Sequence, residues 1–190
     1  MKVYIICNEK NYILYPNRKY RLGNRKECDI YVEESPEEVL IRVKHDRVII
    51  NNSEYFQGTH NIKLGGLELG LLILTKSTHY LLDTKNVLID STDVADICFK
   101  EIKSPVLISY EEETKIVSEG YFYLNGNKTT GNIALKESDE IVFLEGLSIQ
   151  LLGSSLSLFS NTALESDMIT YDEDEQYENR AEEFHRSPRI

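Results

Sequence analysis

Short apolar runs recur along the chain from the N-terminus to about Ser160: "KVYIIC", "CDIYVE", "VLIRVK", "DRVII", "ADICF", "PVLISY", "EIVFL", "LSIQLL" and "SLSLF". Most alternate apolar with polar residues or are rich in β-branched side chains, the mark of strands with one or both faces buried. Between them lie clusters of turn residues, "NEKN", "YPNR", "SPEE", "KHD", "NGN", "EGL" and "GSS", which supply left-handed backbone and local side-chain hydrogen bonds. No apolar stripe of helical period persists beyond three turns. The pattern predicts an all-β chain of many short strands joined by hairpins, a sandwich or barrel.

The pattern also repeats itself. "ECDIYVEESPEEVLIRV" resembles "VADICFKEIKSPVLISY": Asp29-Ile30 matches Asp96-Ile97 at an offset of 67, Ser35-Pro36 matches Ser104-Pro105 at 69, and "YFQG" ending at Gly58 matches "YLNG" ending at Gly126 at 68. One unit of 70 to 80 residues is thus expected twice. After Ser160 the rhythm changes. Thr162-Ala163-Leu164-Glu165 has the Thr-x-x-Glu form of a capping box and predicts a brief helical turn. From Ser166 onward "SDMITYDEDEQYENRAEEFHRSPRI" has neither period and reads as a polar, acidic linker that docks, if anywhere, through Met168, Ile169 or Tyr171.

Charge narrows the partners. The chain carries 21 Lys and Arg against 32 Asp and Glu, a net of -11, and it has no basic stripe. That argues against nucleic acid, whose binding draws on clustered cations releasing counterions. From Glu165 to Ile190 there are nine acidic and three basic residues, a net of -6, so the tail holds more than half of the excess. A basic or neutral protein partner is favoured. Cys7, Cys28 and Cys98 are odd in number and far apart, which suits buried thiols in a reducing compartment, the cytoplasm, better than a disulfide framework. The longest apolar stretch, "LGGLELGLLIL" from Leu64 to Leu74, contains Glu68 and is about half the ~20 residues that cross a bilayer.

The repeated unit resembles the forkhead-associated (FHA) domain, a β-sandwich that in its best-known form reads phosphothreonine peptides with its loops. The second repeat carries the end of the FHA pattern, "LNGNKTTGNIALKESDEIVFLEG" from Leu124 to Gly146, with Ser138-Asp139 in place of Gly-Asp. The first repeat carries the beginning, "YRLGNRKECDIYV" from Tyr20 to Val32. Two such units, an acidic tail and a closing "HRSPRI" resemble the N-terminal cytoplasmic region of the EssC (YukB) family, membrane-anchored FtsK/SpoIIIE-type ATPases of the Firmicutes-style type VII secretion system. The resemblance implies two tandem FHA-like sandwiches, at 1-78 and 79-162. An acidic, largely unstructured linker at 163-190 would lead toward a membrane anchor outside this chain, with Arg186 and Arg189 in a juxtamembrane segment. It further implies a head at the cytoplasmic face of the membrane that docks other secretion components, including the pseudokinase-like membrane subunit.

Phosphothreonine reading needs cations and hydroxyls at fixed loop positions, because a phosphate dianion demands charge-assisted hydrogen bonds. The candidates for such degenerate loops are Asn24, Arg25, Ser35 and Ser104. In the first repeat the Gly-Arg position reads Gly23-Asn24, with Arg25 one place late, and Ser35 is followed by Pro36-Glu37-Glu38, whose carboxylates repel phosphate. In the second repeat that position reads Asp90-Ser91. Other chemistry is not signalled. His45, His60, His79 and His185 lack metal-ligand spacing, "LGGLELG" and "NGNKTTG" lack the spacing of a phosphate loop, and no nucleophile, base and acid set stands out. No enzyme activity, metal or cofactor is expected of this chain. Tyr121, Tyr123 and Asn125, around one expected hairpin, are the candidate protein interface. Two readings stay open: a non-catalytic docking module that has lost phosphothreonine binding, and a phosphothreonine reader using Arg25 and Ser35.

Overall fold

A computed structural model describes residues 1–35, 37–82, 86–110 and 113–165. Among these the chain forms strands and turns with no helix, and hence none long and apolar enough to cross a membrane. The expected acidic linker from Ser166 onward, with Met168, Ile169, Tyr171, Arg186 and Arg189, lies outside the described residues.

The first nine strands form one sandwich: β1 (Lys2–Cys7), β2 (Lys10–Leu14), β3 (Lys19–Gly23), β4 (Ile30–Tyr31), β5 (Val39–Val43), β6 (Val48–Ile50), β7 (Ser53–Tyr55), β8 (Gly58–Leu64) and β9 (Leu67–Leu74). One face is ordered β2-β1-β9-β8, the other β4-β3-β5-β6-β7. Between them lie Val3, Ile5, Leu22, Ile41, Val48, Leu71 and Ile73. The glycines of "LGGLELG" divide into two uses. Gly65 and Gly66, at φ 53 and 97, make the β8–β9 turn, while Gly70 sits within β9, where a Cβ would lie 3.3 Å from that of Ile6.

The remaining strands form the second unit: β10 (Lys76–Leu81), β11 (Asn86–Asp90), β12 (Ile97–Cys98), β13 (Val106–Tyr110), β14 (Thr114–Leu124), β15 (Asn127–Ala134), β16 (Glu140–Phe143), β17 (Leu147–Leu152) and β18 (Ser155–Ser160). Its core holds Ile89, Phe99, Ile108, Phe122, Phe143 and Leu156. The long β14 serves both faces. Thr114 to Ser118 pair with β13, Tyr123 and Leu124 pair with β16, and a register break between Ser118 and Phe122 turns the corner. β10 pairs with β18, so by strand pairing the chain passes between units at Thr75, and the expected boundary at 78/79 falls inside β10.

The duplication is real at the level of single hydrogen bonds, with a constant offset of 67 across its first half. Asp29 accepts from the Arg21 amide at 2.7 Å and Asp96 from the Leu88 amide at 2.8 Å. The Val32 amide donates to the Gly23 carbonyl and the Phe99 amide to the Asp90 carbonyl, both at 2.9 Å. β3 pairs with β4, and β11 with β12, in parallel at matching positions. Two expected landmarks are not equivalent. Ser35 matches Ile102, since their amides donate to Val32 and Phe99 respectively, so the Ser-Pro match at 69 is a coincidence of letters. Gly58 opens β8, whereas Gly126 lies in the β14–β15 turn.

The units are joined over a buried third cluster. Tyr4 and Ile6 of β1 with Leu72 and Leu74 of β9, on the face turned away from the first core, pack on Tyr123 and Val142. This explains why β1 and β9 are apolar at consecutive positions: both faces of each are covered. A buried apolar side chain contributes about 1.5–3 kcal/mol, against ~0–1 kcal/mol for an exposed ion pair such as Lys128 with Glu9 at 2.9 Å. Apolar burial therefore dominates the joint. Polar groups orient it. Tyr4 Oη donates to Glu140 Oε1 at 2.8 Å and lies 2.7 Å from Ser148 Oγ, and Lys2 Nζ meets the same carboxylate at 2.6 Å. Backbone pairing of Asn127 with Lys10 links β15 to β2, so one continuous sheet runs through both units.

The expected helical turn after Ser160 does not form. Glu165 instead makes an antiparallel bridge to Cys98, with amide-to-carbonyl distances of 2.7 and 3.2 Å. The bridge to β12 satisfies the main-chain groups of Cys98 and Glu165 with two hydrogen bonds.

Candidate functional site

The loop after β3 is held from within. Arg21 Nη2 donates to the Glu27 carbonyl at 2.8 Å, Asp29 holds the Arg21 amide, and the Cys28 amide returns to the Arg25 carbonyl at 3.0 Å. Gly23 is required by close approach, since a Cβ there would meet Cys28 Sγ at 3.1 Å. The second unit relieves the same crowding with Ala95 at the Cys28 position, and accordingly carries Asp90 at the Gly23 position.

On this loop Asn24 and Arg25 are exposed. Ser35 is 1% exposed, and its hydroxyl donates back to the Glu37 carbonyl at 2.7 Å. The hydroxyl expected to act with Arg25 thus points into its own turn. Glu27, Glu33, Glu34, Glu37 and Glu38 are exposed around the two loops, so a phosphate dianion would meet five carboxylates beside Arg25 and Lys26.

The corresponding loops of the second unit are no more receptive. Asp90 accepts from the Ser91 amide at 2.7 Å and the Thr92 hydroxyl at 3.1 Å. Lys100 is bound to Asp93 at 2.5 Å. That hydrogen bond raises the lysine above its ordinary range, aided by one to Cys98, and lowers the aspartate. Ser104 is half-buried against Gly120, whose Cβ, if present, would lie 3.0 Å from the serine side chain. The structure does not bring Ser104 to the first unit's loop.

The expected interface residues part company. Asn125 (φ 48) and Gly126 (φ 90) form the left-handed hairpin turn. Asn125 donates to Asp139 at 2.8 Å and accepts from the Glu140 amide at 3.0 Å, while Asp139 also receives the Lys136 amide at 2.7 Å. The turn docks on the first unit, where the Asn11 amide reaches the Gly126 carbonyl at 3.0 Å. Tyr123 is 4% exposed and packs in the joint. Burial pushes its phenol above the ordinary range. Tyr121 is 64% exposed, with Lys128 Nζ 4.8 Å above its ring.

In three dimensions the chain is similar to a solved structure described as the N-terminal FHA domain from EssC, a component of the bacterial type VII secretion apparatus, with a TM-score of 0.70 over 89% of this chain and 96% of that one. The fold is FHA-like. Identity over that match is 12%, so the likeness carries architecture rather than residue roles. No protein-family model and no curated protein matches the sequence.

Within this FHA-like frame the described residues also form a groove that the loop motifs do not announce. It runs between β8–β9 of the first unit and the β16–β17 turn of the second, in two lobes of about 380 and 430 Å³ that share Asn61, Gly70 and Leu144. Its signal in the sequence was slight: one glycine within an apolar strand and one leucine after "IVF".

Proposed function

We propose that this chain is a non-catalytic protein-interaction module of a type VII secretion ATPase, docking other secretion components with phosphothreonine reading lost. The fold likeness supports the class. The observation that carries the loss is the buried Ser35 hydroxyl, committed to the Glu37 carbonyl, on a turn whose Glu33, Glu34, Glu37 and Glu38 are exposed. In this reading the chain is the cytoplasmic head of a membrane-anchored protein, the pseudokinase-like membrane subunit is a partner, and ATP binding belongs to parts outside this chain. A basic or neutral surface on the partner complements a net charge of -11.

Co-purification with the secretion subunits, before and after phosphatase treatment, tests it. Recovery independent of phosphatase supports docking. Micromolar binding to phosphothreonine peptides that Arg25→Ala abolishes would instead establish the reader.

A further inference from the structure

We infer that the groove between the two units takes an extended segment of a basic partner, laid beside β8 as an added strand. This rests on the docking reading and says where docking happens.

Three observations converge. β8 is the last strand of its sheet and, among the described residues, pairs only with β9. Its outer edge therefore offers the unpaired main-chain groups by which extended peptides add to sheets. Along β8, Ile62 turns into the first core while Thr59 and Asn61 line the groove, so an incoming strand beside them meets the second unit as well as the first. The groove has an apolar floor and wall: Gly70 lines it beside Ile6, Leu72 is buried beneath, and Leu144 stands 43% exposed on the opposite side. Surface leucines are usually unremarkable one at a time. This one is set at the lip of a concavity made by two units.

The rim selects the charge. Lys63 and Glu68 neutralise each other at 2.7 Å. That leaves Glu101 and Glu145 against Lys103, a net negative rim. Successive side chains of a strand face opposite ways, so an occupant that sets an apolar side chain against Leu144 and, two positions away on the same face, Lys or Arg against Glu101 and Glu145 satisfies the edge and the rim together. Because both units build the groove, binding requires the joint between them.

The test is a displayed library of ten-residue peptides selected on the full chain, with the enriched peptides titrated into the isotopically labelled protein. The expected result is enrichment of peptides with an apolar and a basic residue two positions apart, shifts at the Asn61, Gly70 and Leu144 amides, and a loss of about tenfold in affinity for Leu144→Asp. Arg25→Ala should bind as the parent does. Selection of acidic peptides, shifts confined to the loops around Arg25, no enrichment over the Leu144→Asp chain, or tighter binding when residues 166–190 are removed, which would make that segment the occupant, each overturns the proposal. The two readings fail separately: if Leu144→Asp still co-purifies with secretion subunits, docking stands and the groove does not.

Discussion

The Tyr4 hydroxyl is the most exacting point of the joint between the units. Tyr4 is fully buried, and burial, with Glu140 second, pushes its phenol far above the ordinary range, so it acts as a permanent donor. In Tyr4→Phe the ring and its packing survive, but Glu140 loses the 2.8 Å hydrogen bond and Ser148, also fully buried, loses its 2.7 Å partner. Orphaning a buried polar group costs about 1–3 kcal/mol. Lys2 still holds Glu140 at 2.6 Å, and that carboxylate is 21% exposed and open to water, which places the expected cost near the middle, about 2 kcal/mol. For a chain of this length that is a fall of about 4–8 °C in melting temperature. Ser148→Ala removes the orphan, so the double variant should cost about 1 kcal/mol less than the sum of the singles. Urea unfolding of the four proteins measures the cycle. A loss below about 0.5 kcal/mol for Tyr4→Phe, or strict additivity with Ser148→Ala, would refute this account of the joint.

Three further outcomes are expected. Ser138 stands at φ 70 where a glycine would be relaxed, so Ser138→Gly should stabilise by about 0.5–1 kcal/mol in the same assay. Gly23→Ala should cost about 1 kcal/mol through the Cys28 thiol and recover most of it in Gly23→Ala with Cys28→Ala, which copies the small residue found at Ala95. Burial pushes the Cys7 thiol up to about 11 and the Tyr12 and Tyr123 phenols above their ordinary values. Folded, these groups keep protons that the unfolded chain releases. Stability is therefore whole below the ordinary thiol range and declines as pH rises from there toward 11. Cys7→Val should flatten that limb, seen as urea midpoints measured across alkaline pH.

Local pattern carried much of the architecture. "KVYIIC" and "LSIQLL" read correctly as strands because the alternation or run of apolar side chains is a property of consecutive residues. Asp29-Ile30 and Asp96-Ile97 marked the duplication because each aspartate ties down an amide eight residues earlier, a contact within one loop. Where letters misled, the reason is equally physical. Ser35 and Ser104 share a following proline, yet the backbone register advances by 67, and hydrogen bonding, which identity of side chains does not record, sets that register.

The candidate site was legible as residue types and hidden as geometry. Arg25 and Ser35 are by residue type candidates for a phosphate loop, and only the structure shows the hydroxyl turned toward the Glu37 carbonyl. Tyr123 reads as surface in a hairpin until the first unit covers it in a cluster with Tyr4 and Leu72. Strand class, turn chemistry and repetition depend on neighbours a few residues apart, and the chain alone declares them. Which faces meet depends on surfaces more than a hundred residues distant, as with Tyr4 and Glu140. That choice is made by the burial of whole sheets against each other, so the joint, the groove and the fate of each candidate residue emerge only in three dimensions.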